Sequence, residues 1–161
     1  MMVLIMIHIY KNYFINVSKK MDDEMEIAKG HALFNNDHVM QELGARLVDY
    51  KDCYAKVELL VEKRHTQGHG TCHGGIIFTL ADGAFAVACN TGDYPAVGQH
   101  CNISYIKPGQ IGDVLTATAE LRSQAGRSEF YDIQVVNQKQ ETIAEFRGVS
   151  RMLVPAKKEQ L

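Results

Sequence analysis

The hydrophobic pattern of this chain changes period four times, and each change marks an element. Residues 21–34 carry apolar side chains at helical spacing through Met25, Ile27, Ala28 and Leu33, with acidic residues in the first turn, where they complement the helix dipole. Asn36-Asp37 supplies a cap for a second short helix that ends at Gly44. From Ala45 to Val61 the period drops to two. Ala55, Val57, Leu59 and Val61 share one face and Lys56 and Glu58 the other, which predicts two strands with a turn at Lys51-Asp52. A glycine-rich stretch, Gly68 to Gly75, precedes a segment of helical length that is apolar on nearly every face: Ile76, Phe78, Leu80, Ala84, Phe85, Val87 and Ala88. A helix of that kind needs cover on all sides. At about fourteen residues it is too short to span a bilayer, so a protein core is the better host.

Beyond the helix, Asn90, Gly92 and Pro95 act as stops. Strands are then predicted over Ala96–Ile106, Asp113–Ser123, Ser128–Val136 and Thr142–Leu153, with turns at Lys107-Pro108-Gly109, Ala125-Gly126 and 137–140. Strands joined by short turns pair antiparallel. The expectation is one α+β domain over residues 21–154, a curved antiparallel sheet wrapped around a central buried helix. Residues 155–161 are expected to be a frayed, charged tail. Residues 1–20 are apolar yet interrupted by Lys11 and Asn12, and they lack a basic start and a small-residue cleavage site. They are expected to be a non-native or disordered extension, with Met21 as the true initiator.

Composition narrows the function. Seventeen basic against 19 acidic residues in a chain of 161 leave a net charge of −2, and no basic run points to nucleic acid. Cys53, Cys72, Cys89 and Cys101 are widely spaced with no C-x-x-C pair, which reads as reduced thiols in a cytoplasmic protein.

The chemistry concentrates between Gly68 and Asn90. The glycine loop fits neither a dinucleotide fingerprint nor a P-loop, but it delivers a helix N-terminus whose free N–H groups can bind an anion or polarise a carbonyl. Asp82 interrupts the apolar helix with no Lys or Arg in that helix to pair with it. A buried lone carboxylate is costly, and catalysis is a common reason to keep one. His65, His69 and His73 have a ligand-like spacing, but the glycines between and after them oppose the helix that would bring them together, so no metal is expected. Cys72 with His73 is a possible nucleophile and base, although adjacent turn residues usually point apart. Lys107, Arg122, Arg127, Arg147 and Arg151 lie in or beside the later strands, and a subset of them is a candidate grip on phosphates.

The run His73-Gly74-Gly75-x-x-Phe78-x-Leu80-Ala81-Asp82-x-Ala84-Phe85-Ala86-x-Ala88-Cys89-Asn90 closely resembles the hot-dog-fold acyl-CoA thioesterases of the phenylacetate-degradation type. Lys107-Pro108-Gly109-x-x-Gly112-Asp113 and Tyr131-Asp132-Ile133 resemble them too, and the likeness spans roughly residues 24–152. The resemblance implies a hot-dog fold, a dimer or homotetramer with the active site at the subunit interface, and hydrolysis of an acyl-CoA, often an aryl one, without metal or other cofactor. It implies Asp82 as general base or nucleophile, the Gly75 N–H as the donor to the thioester oxygen, and His73 and Gly74 as the residues that shape that loop. Gln67 stands where the family commonly has Asn, keeping the amide on a longer stem. Gly74, Asn90, Lys107 and Arg127 are the candidate substrate-binding residues. A non-catalytic acyl-CoA binder or sensor is the alternative, and a hot-dog dehydratase is a weaker one because this helix carries no histidine. The retained Asp82 favours the hydrolase. A chain shortened to begin at Met21 is expected to keep its fold by circular dichroism and its thioester turnover; loss of either would show that residues 1–20 pack on the domain.

Overall fold

The computed structural model describes residues 29–154. The expectations for residues 1–20, for the start of the first helix and for the tail lie outside them. A helical segment over residues 29–35 (α1) leads into α2, His38–Leu43. The sequence-predicted caps are in place. Oδ1 of Asp37 accepts from the N–H groups of Val39 and Met40, and Gly44 closes the helix in the left-handed region at φ 75°. The strands are β1 (Arg46–Lys51), β2 (Tyr54–Leu60), β3 (Ala96–Tyr105), β4 (Val114–Ala125), β5 (Ser128–Val136) and β6 (Thr142–Met152), and α3 covers Gly74–Ala88. All paired strands are antiparallel, in one six-stranded sheet of order β1-β2-β4-β5-β6-β3.

The sheet curves around α3. Alanines on the inner face, Ala55, Ala117, Ala119 and Ala144, are fully buried and let the helix sit close. The larger inner side chains, Val57, Leu59, Leu115, Ile133 and Val135, fill the flanks. Phe85 is the central knob. Its ring meets Tyr131 edge-on, with centroids 5.5 Å apart, and lies over Gly148 of β6, where a Cβ would come within 2.8 Å of it. α2 inserts Met40, which is 1% exposed, against Gly83.

Four expectations are corrected. The β1–β2 turn is Asp52-Cys53, one residue later than predicted, with Cys53 at φ 53°. The β4–β5 turn is Gly126-Arg127, because β4 runs on to Ala125. β3 and β4 are successive but not paired. β3 runs back along α3 to the far edge beside β6, and residues 106–113 cross under the helix N-terminus, where the Cys72 N–H donates to the Gly109 carbonyl at 2.8 Å. Short turns predict hairpins only when the connection is not tied to something else.

The fourth correction concerns α3. The helix is not enclosed all round: Gly75, Phe78, Thr79, Asp82, Ala86 and Asn90 stay partly or fully accessible on one stripe, because a single sheet covers the remaining faces and stops there. Among the described residues no helix is long and apolar enough to cross a membrane.

Gly148→Ala tests this packing. The Phe85 ring is seated between Tyr131 and Gly148, so overpacking should cost about 1–3 kcal/mol. The urea unfolding midpoint should fall accordingly; an unchanged midpoint would show that the ring has room to move.

Candidate active site

The site is built at two places on the accessible stripe of α3, its first turn and its middle. At its N-terminus the loop from Lys63 to His73 is tied down by backbone bonds. A short 3-10 turn, Lys63–His65, starts it, the Gln67 N–H donates to the Thr71 carbonyl at 2.9 Å, and the His73 N–H donates to the His65 carbonyl at 2.8 Å. Gly70 sits at φ 81°, which a residue with a side chain rarely adopts. The Gln67 amide is committed within this loop. Its Nε2 donates to Oγ1 of Thr71 at 2.9 Å and its Oε1 accepts from the His69 N–H at 2.6 Å. In this arrangement Gln67 shapes the loop, and its amide does not face the cleft as a free water-positioning group.

His73 is the N-cap of α3. Its Nδ1 accepts the Gly75 N–H at 2.8 Å. The N–H expected to polarise a carbonyl therefore already has a partner. The Gly74 N–H, one residue earlier, has none among the described residues. The Gly74 carbonyl accepts from the hydroxyl of Tyr105, the last residue of β3, at 2.8 Å. One cleft of about 410 Å³ opens beside Gly75, between His73, Arg64 and Thr79; another, of about 370 Å³, opens beside Gly74, between Tyr105, Ile77 and Lys107.

Asp82 lies two turns further along α3, at the edge of a cavity of about 400 Å³ walled by Phe78, Phe85, Ala86, Gly98, His100 and Cys101. A β-bulge between Gly98 and His100 turns this part of β3 toward the cavity. The carboxylate is half-buried rather than enclosed, and no cation pairs with it among the described residues. Among the described residues its one side-chain hydrogen-bond partner is the Cys101 thiol, 3.8 Å from Oδ1. Burial raises its pKa above the ordinary Asp value, the Cys101 hydrogen bond pulls it partly back, and the negative charge of Asp37 adds to the rise. Cys101 itself is pushed up to about 11 by burial and by the neighbouring carboxylate, so it is a neutral donor and not a nucleophile. Cys72 is buried, its thiol is raised to about 11 by burial and the negative charge of Asp113, and Nδ1 of His73 already accepts the Gly75 N–H, all of which disfavour the Cys72–His73 pair as a nucleophile and base.

The other predicted residues do not all converge on one place. Asn90 lines the same cavity as Asp82; its amide donates to the Ala86 and Ala96 carbonyls and accepts the Ala96 N–H, so it also fastens the end of α3 to β3. Lys107 pairs with Glu141 at 3.0 Å near the helix N-terminus. Arg127 lies in the β4–β5 turn, beside Arg151 at the other end of β6. The two cations stand at opposite ends of a strand, roughly 27 Å apart along it at the usual rise per residue, so one chain does not close both on the same phosphates. Among the described residues no three His, Cys, Asp or Glu side chains gather as a metal site. His65 is 2% exposed; its Nδ1 accepts the Glu62 N–H and its Nε2 has no partner among the described residues. Sequence reasoning missed Tyr105 and Cys101. Both reach α3 only because β3 doubles back along it, and no local pattern marks that path.

The comparisons with known proteins agree on one family. The thioesterase superfamily profile matches residues 69–144. The acyl-coenzyme A thioesterase PaaI of Escherichia coli is 43% identical over 123 residues, covering 76% of this chain and 88% of that protein. The structure of the E. coli PaaI protein from the phenylacetic acid degradation operon superposes with a TM-score of 0.79 at 40% identity, covering 83% of this chain and 97% of that one. A single-residue mutant of the phenylacetic acid degradation protein PaaI from Thermus thermophilus gives a TM-score of 0.70 at 34% identity, covering 73% of this chain and 100% of that one.

The cap geometry carries its own test. His73→Ala removes the acceptor of the Gly75 N–H and should lower stability by about 1 kcal/mol, the usual worth of an N-cap. Denaturant unfolding measures it, and an unaltered free energy would mean that water replaces the imidazole at no cost.

Proposed function

We propose that this chain, which belongs to the thioesterase superfamily and is a PaaI-like hot-dog acyl-CoA thioesterase, hydrolyses an aryl acyl-CoA of the phenylacetyl type to the free acid and CoA. The observation that carries the chemistry is Asp82: a half-buried carboxylate with no paired cation among the described residues, at the edge of a cavity whose walls include Phe78 and Phe85. Aromatic walls favour an aromatic acyl group through offset or edge-on packing. The E. coli relative's place in a phenylacetic acid degradation operon supports the same substrate class.

The thioester carbonyl is taken to meet the first turn of α3, where the Gly74 N–H is open and the Gly75 N–H becomes so when His73 turns away. Negative charge that grows on the oxygen is stabilised there by the N–H groups and the helix dipole. Asp82 serves as general base, drawing a proton from the water that attacks the carbonyl carbon, or attacks that carbon itself to give an anhydride that water then opens. In either route the C–S bond breaks, the thiolate leaves and is protonated, and CoA departs.

The two places are about 10.5 Å apart along the helix, from seven residues at the helical rise. Within one chain they open into clefts with different linings. A second copy that covers the accessible stripe brings the acid of one chain to the N-terminus of the other, and the protein is accordingly expected to be a dimer or tetramer with the site at the interface. A cytoplasmic location belongs to the same proposal, on the reading of four widely spaced cysteines as reduced thiols.

Asp82→Asn tests the assignment. The side chain is isosteric and packing should survive. Because the folded carboxyl has a raised pKa, the folded state holds its proton more tightly than the unfolded chain, so stability falls as pH rises from the unfolded pKa through the folded one. Asn removes that loss, and the variant should be as stable as wild type at pH 7 or more so. Turnover should drop about 10²–10⁴-fold, the usual worth of a positioned base. Wild-type kcat/KM should rise with pH through an inflection above the ordinary Asp value and then level off. Turnover by folded Asp82→Asn at near wild-type rate would sink the assignment.

A further inference from the structure

The peptide unit between Gly74 and Gly75 is held at both ends by side chains. Its carbonyl oxygen accepts from the Tyr105 hydroxyl at 2.8 Å, and its N–H donates to Nδ1 of His73 at 2.8 Å. The two holders also explain the two glycines. A Cβ on Gly74 would lie 3.0 Å from Cζ of Tyr105 and 3.1 Å from its hydroxyl oxygen, and a Cβ on Gly75 would lie 3.0 Å from Nδ1 of His73. Each glycine thus leaves the space that its holder fills. The same absence of side chains makes this the most pliable pair of residues in the helix.

The holders are not equivalent. His73 occupies the N–H itself, which has no acceptor inside the helix because it belongs to the first turn. Its ring is exposed and can swing into water. Tyr105 grips the opposite end and leaves the N–H direction free for a ligand. A peptide unit is planar with C=O and N–H opposed, so fixing the oxygen fixes the direction of the hydrogen. Donation to the carbonyl also polarises the amide and strengthens its N–H as a donor. The preceding peptide is aimed by backbone alone, since the His73 carbonyl accepts from the N–H groups of Ile76 and Ile77, at 2.9 and 3.2 Å; the Gly74 carbonyl has its own place in the helical ladder, opposite Phe78, and the Tyr105 hydroxyl is a second donor to it.

We infer that Tyr105 is a positioning residue for thioester hydrolysis: its bond to the Gly74 carbonyl keeps the Gly75 N–H aimed at the thioester oxygen once His73 has left it. The inference rests on the reading above, in which the carbonyl meets the first turn of α3. On this account the free protein carries one open donor, from Gly74, and one capped donor, from Gly75, that the substrate carbonyl uncaps by displacing the imidazole. Tyr105 is brought to that place by β3, so the strand that walls the acid's cavity at one end sets the donor at the other.

Tyr105→Phe removes one hydroxyl and keeps the ring. With phenylacetyl-CoA, kcat should fall about five- to tenfold, a fraction of the loss seen when an oxyanion donor is deleted outright. KM should rise by no more than about fivefold, because the same donor meets the carbonyl in the ground state while the larger share of the loss falls on the transition state and so on kcat. Binding gives a second readout. A phenylacetyl-CoA analogue with CH₂ in place of the thioester sulfur keeps the carbonyl and should bind about fivefold more weakly to the variant, by loss of an aimed donor. An S-alkyl CoA thioether with no carbonyl should bind both proteins alike. Wild-type kcat in the variant would overturn the inference. So would a raised KM with unchanged kcat, or equal weakening for both analogues, since each would mean that the ring only touches substrate. Asp82→Asn run alongside separates the two levels. If it remains active, the reading of the site fails; if it is inert while Tyr105→Phe turns over normally, only the role of Tyr105 fails.

Discussion

A fifteen-residue helix with apolar side chains on almost every face is unstable in water, and the rest of this chain is arranged to cover it. Six strands wrap it, small residues let it settle, and Phe85 locks it over Gly148. One sheet cannot close the circle, and a stripe from Gly75 to Asn90 is left uncovered. That stripe holds a carboxylate at its middle and unpaired helix N–H capacity at its start. The incompletely covered helix is therefore both the centre of the core and the place where the proposed chemistry is sited.

Electrostatics then separates the candidates. Asp82 is desolvated enough to be a stronger base than a surface carboxylate, and Cys101 offers it a neutral donor rather than a competing charge. The cysteines that a sequence reader would try as nucleophiles are held protonated by burial. Charge on the outer face of the sheet is largely paired within the chain: Arg122 and Arg147 share Asp132, and Arg46 meets Glu58. Pairs so exposed contribute little to stability.

Most of the fold was legible because the strands alternate cleanly and the helix does not. The β5 boundaries and the Asp37 and Gly44 caps match the sequence prediction to the residue, and Asp82 stood out as the one charge in an apolar run. The errors have a common cause. Turn chemistry at Lys107-Pro108-Gly109 identifies a bend but not its destination, so the crossing of β3 to the far edge was invisible, and with it the approach of Tyr105 and Cys101 to α3. The fate of polar groups was equally hidden. The amides of Gln67 and Asn90 read as free groups until the loop and the β3 junction were seen to use them. Spacing reveals which residues share a face; it does not reveal which hydrogen bonds they have already made.

The central claim is that one chain's acid works with another chain's helix N-terminus. Subunit complementation tests it most directly. Asp82→Asn chains and chains with the first turn blocked by Gly74→Val, each inactive as homo-oligomers, are unfolded, mixed and refolded together, and thioester hydrolysis is measured. A shared site predicts that random pairing leaves about a quarter of the sites intact, so that activity returns to about a quarter of the wild-type level. A mixture as inactive as its two components would contradict the account, because each site would then draw both groups from a single chain.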